Sequence, residues 1–235
     1  MTYALDHVFV CCAEGAPEAQ RLARLGLSEG SSNTHPGQGT ASRRFFFENA
    51  YLELFWVADA REARSELAAP TRLWSRWSAR GAEASPFAII LRPDDDGSSA
   101  PPFAVILRPD HGEDAAPPFA SWAYHPSYLP PHLAIDVAEG TPLSEPAFFY
   151  IGFARGAGQM QPQPRDHALG VRRLTAVEIG IPGSMPRSDA ARLVEEMGLV
   201  QFVAAPRHGM TLTFDEGRAR QQADLDPDLP LVLRW

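Results

Sequence analysis

The feature that most constrains this chain is an internal echo of strand, helix and further strands in one order. Residues 5–10 (LDHVFV) match residues 174–179 (LTAVEI). Residues 21–27 (RLARLGL) match 192–199 (RLVEEMGL) with one residue added, and 51–57 (YLELFWV) match 209–215 (GMTLTFD). An echo of this kind reads as two supersecondary units of an α+β protein. In the first copy a strand over 4–12 leads into a helix. Pro17 opens that helix near its first turn and Gly26 closes it, with Leu22 and Leu25 turned toward a sheet. The run RRFFFENAYLELFWV reads as a hairpin turning near Asn49 and Ala50. Residues 59–80 read as a helical excursion with Leu73, Trp74 and Trp77 at helical spacing. In the second copy a strand over 173–181 and a helix over 188–198 precede strands near 200–205, 209–215 and 230–234.

A shorter repeat lies between the copies. PFAIILRPD at 86–94 recurs as PFAVILRPD at 102–110, an offset of 16 residues with Ile89 and Val105 the only difference. Near identity marks a recent duplication rather than a structural period, and the first copy is expected to supply the native strand. An added edge strand from the other copy would invite self-pairing, so a homodimer is expected. The chain divides into residues 1–117, with duplicated units 86–101 and 102–117, an intervening Pro- and aromatic-rich segment 118–172, and residues 173–235. These parts are expected to form one compact unit.

Charge and residue usage exclude several classes. The net charge is −8 with a pI near 5.4, which argues against a nucleic-acid partner. No apolar run is long enough to span a bilayer, and MTYALDHVFV has no basic leader, so neither a membrane partner nor a signal peptide is expected. The only cysteines, Cys11 and Cys12, are strand neighbours pointing to opposite faces, which fits a reducing cytoplasm. There is no lysine, so Schiff-base chemistry is excluded and any anion must be met by arginine, histidine or backbone amides.

The residues DHVFV, HPGQGTASRRFFFENAYLELFWV, YLPP (128–131) and LPLVLRW together resemble the glyoxalase-like domain proteins of bacteria, a group similar to the vicinal oxygen chelate superfamily. The resemblance covers almost the whole chain and is strongest over 33–57. It implies two pseudo-symmetric βαβββ modules forming a cupped mixed sheet around a shared cavity. It also implies a divalent metal (Fe, Mn, Ni or Zn) held by two residues of each module and polarising vicinal oxygens of a small substrate.

Carried onto this sequence, the resemblance places ligands at His7 and Glu53 in the first module. In the second it places Ala176 and Thr211, neither of which replaces a lost ligand. Strand alternation then turns Leu5, Phe9 and Cys11 inward with His7, and Tyr51 and Phe55 inward with Glu53. On the second module it turns Glu178 and Thr211 inward. Two arrangements satisfy these residues. His7, Glu53 and Glu178 form a reduced one-His, two-carboxylate metal site completed by water, or His7 and Glu53 bond to each other and Glu178 is solvated or matched by an arginine. The expected ligand-binding set is Phe9, Tyr51 and Phe55 as walls, with Gln38, Arg43 and Thr211 as polar contacts. Two functions follow. The first is a binding protein with a degenerate metal site, which takes a small organic molecule. The second is a metal-dependent lyase, isomerase or dioxygenase using His7 and Glu53.

Overall fold

A computed structural model describes residues 2–81, 83–94, 116–154, 162–183 and 187–235. The chain is built mainly of strands. The first part holds β1 (Thr2–Cys11), α1 (Ala19–Arg24), β2 (Asn33–His35), β3 (Thr40–Phe46) and β4 (Tyr51–Val57). Two short helices follow, α2 (Ala60–Ala63) and α3 (Leu73–Ser78), and then β5 (Phe87–Asp94), β6 (Ser121–Tyr124), β7 (Ile135–Ala138) and β8 (Ala147–Tyr150). These eight strands form one sheet in the order β2-β3-β4-β1-β5-β8-β7-β6.

That order has an internal symmetry. β1 pairs in parallel with β4, and β5 pairs in parallel with β8. The outer strands of both halves run antiparallel to their neighbours. β1 and β5 meet antiparallel at the centre, with His7 opposite Ile90. The fold is thus an α+β cupped mixed sheet made of two like halves. Its second half, however, is 87–150 and not 173–235. β5 comes from the first copy of the short repeat; the second copy, on which the expectation of an added edge strand and a homodimer rests, lies outside the described residues.

Residues 173–235 build a separate sheet. β9 (Leu174–Pro182), α4 (Asp189–Glu196), β10 (Gln201–Ala205), β11 (Gly209–Phe214), β12 (Gln222–Asp224) and β13 (Leu231–Arg234) assemble in the order β10-β9-β11-β13-β12. Here the strand after the helix lies beside β9 in parallel. In the first part the strand after α1 lies at the far edge of the sheet. The same order of elements in sequence therefore serves two topologies. A strand–helix–strand echo does not say which strands become neighbours.

One apolar core joins the two sheets. It holds Val8, Val10, Leu52, Leu54, Ile89 and Leu91 from the back of the first sheet. Val177, Ile179, Leu212 and Phe214 of the second sheet belong to the same cluster, as do Leu22 of α1 and Val194 of α4. Phe47 and Phe214 meet across it with ring centroids 4.5 Å apart. The second sheet thus packs behind the cup, and its residues do not face the cavity in front. Gly26, past the end of α1, has φ +101°, and a Cβ there would sit 2.8 Å from the Leu169 amide nitrogen. Only glycine fits that approach. No helix among the described residues is long and apolar enough to cross a membrane.

Candidate functional site in the cup

Alternation along four central strands lines the concave face. β1 contributes His7 and Phe9, β4 contributes Tyr51, Glu53 and Phe55, and β5 and β8 contribute Ile90 and Phe149. They border a cavity of about 200 Å³. The walls stack on one another: Phe9 lies on Phe55 with centroids 4.5 Å apart and planes 12° from parallel. His7 lies on Tyr51 at 4.0 Å.

His7 is the centre of a buried charge cluster. A bulge between Leu5 and His7 in the pairing with β5 breaks the strand alternation. It brings Asp6, the next residue in sequence, onto His7, whose Nδ1 lies 2.6 Å from Asp6 Oδ1. Leu5, expected to face the cavity, packs against the back core instead. On the other side of the ring, Nε2 faces Glu53 Oε2 at 3.5 Å. Arg92 Nε lies 3.7 Å from Asp6 Oδ2 and adds a second cation. Burial opposes a charge on His7, but Asp6 and Glu53 outweigh it and raise its pKa above the ordinary 6.5. Burial would likewise raise Glu53, yet His7 holds it down at about 2. The cluster is an imidazolium between two carboxylates.

A neutral polar arc runs along the rim. Tyr128 donates to Gln38 Oε1 at 3.2 Å, and Gln38 Nε2 donates to Thr40 Oγ1 at 2.7 Å. His35 Nδ1 lies 3.0 Å from the same hydroxyl, and Asn33 Nδ2 lies 2.9 Å from His35 Nε2. Thr40 can accept twice, so His35 donates through Nδ1 and accepts through Nε2. Burial lowers its pKa, consistent with that neutral state. The turn carrying Gln38 requires Gly39, which has φ +71° and whose Cβ would fall 2.2 Å from the Asp59 carbonyl oxygen.

The expected site residues divide. His7, Glu53, Phe9, Tyr51, Phe55 and Gln38 all border the cavity. Arg43 does not: its guanidinium donates to Glu29 at 2.6 Å and to the Ala16 carbonyl at 3.0 Å, away from the cup. The β3–β4 register pairs Arg43 with Leu54 of the back core and Arg44 with Glu53, so Arg44 is the arginine that borders the cavity. Glu178 and Thr211 lie opposite each other on β9 and β11 and line a different groove with Arg207 and Asp224. A metal site of His7, Glu53 and Glu178 is therefore not assembled.

The remaining donors do not fit a resident divalent ion. His7 and Glu53 are already paired with each other, and both nitrogens of His35 are taken up by Thr40 and Asn33. The cup face of the second half is apolar through Ala88, Ile90, Ala147 and Phe149. Among the described residues no group of three or more His, Cys, Asp or Glu is arranged to hold a metal ion. Nor do the cysteines supply a nucleophile: burial pushes the Cys11 thiol up to about 12, and Cys12 higher still.

Sequence reasoning missed Asp6, Asn33, Tyr124 and Tyr128, all of them in the cluster or on the cavity wall. The parity of Glu53 against Arg44 tells which of the two adjacent arginines faces the cup. The proline-rich YLPP segment gave no periodicity from which Tyr128 could be placed.

A search of curated proteins found no match. Among solved structures, the crystal structure of a hypothetical protein from Staphylococcus aureus is similar at 10 % identity, with a TM-score of 0.49, covering 100 % of this chain and 98 % of that one. A family model described as a glyoxalase-like domain matches residues 5–197. The chain belongs to the glyoxalase-like domain family, within the vicinal oxygen chelate superfamily.

Proposed function

We propose that this protein binds a small, largely apolar organic molecule in the cup, without a resident metal. The observation that carries this reading is a cavity with stacked aromatic walls and a few fixed polar groups, the composition expected of a small-molecule site. Its size, about 200 Å³, is below the ~300–1,000 Å³ of sites for drug-sized ligands, so the ligand is of one or two rings. Phe9, Tyr51, Phe55 and Phe149 supply apolar burial, and Gln38 and the His7–Glu53 pair orient the polar end. Metal-dependent turnover by His7 and Glu53 would need at least one further protein donor, which the second half does not offer.

The test is a panel of oxygenated one-ring and two-ring compounds, presented to wild type and to Ile90→Phe, which fills the cavity floor. Compounds that bind wild type and are lost in I90F are expected. Binding that is indifferent to I90F would contradict the reading.

A further inference from the structure

One buried polar atom in the cup has no partner. Tyr124, the last residue of β6, borders the cavity and is 2 % exposed, and its hydroxyl makes no hydrogen bond. Its ring contact is with Trp122, edge-on at 6.0 Å. Among the three tyrosines on the cavity wall, Tyr128 is bonded to Gln38 and Tyr51 is stacked on His7. A buried hydroxyl left unpaired keeps its desolvation penalty, and such a group in a native structure calls for an explanation. Burial raises the Tyr124 pKa to about 12, so the phenol keeps its proton and is a donor.

Resting on the reading that the cup holds a small molecule, we propose that Tyr124 is its specificity contact: the ligand is a planar aromatic compound carrying a neutral oxygen acceptor that receives the Tyr124 O–H. Three features support this class. The stacked Phe9–Phe55 pair presents flat apolar surface. His7 is held between Asp6 and Glu53, and the Arg44 guanidinium is bonded to Ser31 and Ser32, so a charged ligand would bring a further charge into a buried place. The partners of Tyr124 on the wall, Ile135 opposite it in the β6–β7 ladder and Phe149 on β8, are apolar and offer it no competing acceptor.

The experiment compares acetophenone with cumene, which has the same outline but no acceptor, by titration against wild type and Tyr124→Phe. Acetophenone is expected to bind wild type roughly tenfold more tightly, a factor worth about 1.4 kcal/mol. In Y124F that preference falls to about one while cumene affinity stays unchanged. An infrared spectrum of carbonyl-labelled acetophenone on wild type reads the contact without a variant, and a stretch shifted down from its value in alkane is expected. Equal affinities in wild type, a preference retained in Y124F, or an unshifted stretch would overturn the role of Tyr124 and leave cavity binding standing. Failure of both probes to bind wild type would overturn this inference together with the reading beneath it.

Discussion

The Tyr128 hydroxyl donates to Gln38 Oε1 at 3.2 Å across 90 positions of sequence. Gln38 follows β2 and Tyr128 follows β6, and these are the two edge strands of the eight-stranded sheet. The bond therefore ties the sheet's edges together over the cavity. Ser127 Oγ donates to the Pro36 carbonyl at 3.0 Å and reinforces the closure. Without it the ends of an open sheet would be free to splay.

Tyr128→Phe removes one neutral hydrogen bond and strands the Gln38 acceptor. A loss of about 1–3 kcal/mol in urea unfolding is expected. Unchanged stability would show that the closure contributes nothing.

The charge cluster predicts a pH signature. His7 has a raised pKa, so its contribution is complete below 6.5 and is lost as pH rises through the folded value. Glu53 has a lowered pKa, so its contribution is present above 4.5 and is lost as pH falls toward about 2. His7→Gln removes the partner of a buried pair, expected to cost about 3–5 kcal/mol. The melting-temperature gap between wild type and H7Q should be widest between pH 4.5 and 6.5 and narrow on both sides. A gap independent of pH would contradict the ion-pair assignment.

Adjacent arginines should separate cleanly. Arg43→Met loses the Glu29 pair and about 1 kcal/mol of stability, with ligand affinity unchanged. Arg44→Met alters ligand affinity, because Arg44 borders the cavity. Glu178→Gln should do neither, with a stability change inside about 0.5 kcal/mol. Calorimetric titration of a panel hit and thermal melts check all three, and a loss of affinity in R43M greater than in R44M would reverse the facing.

Metal content follows from the donor set. Protein reconstituted with Fe, Mn, Ni or Zn and then desalted should retain no stoichiometric ion in elemental analysis. One equivalent that disappears in His7→Ala would restore the metalloenzyme reading.

Much of the cup was legible in sequence because period-2 alternation is a local property. Once His7 and Glu53 were set facing inward, Phe9, Tyr51 and Phe55 followed. Pairing between strands is not local, and here the echo between 5–57 and 174–215 misled. Its second copy makes a parallel β9–β10 pair behind the cup, which carries Glu178 and Thr211 away. The true second half has apolar residues at its cup positions, Ile90 and Phe149, and so carried no chemical signal. Asp6 was hidden by a bulge, which no alternation rule anticipates. Tyr124 sits on a four-residue strand, too short for its period to show.

The central claim is that ligand enters the cup and nowhere else, and isoleucine methyl NMR reads it directly. Ile90, Ile135 and Ile151 border the cavity, while Ile179 and Ile181 lie in the core between the sheets. On titration with a panel hit, the methyl signals of the first three should shift together and saturate at one equivalent, with those of the last two unmoved. Shifts confined to Ile179 and Ile181, or none at the cavity isoleucines while the compound binds, would contradict the account.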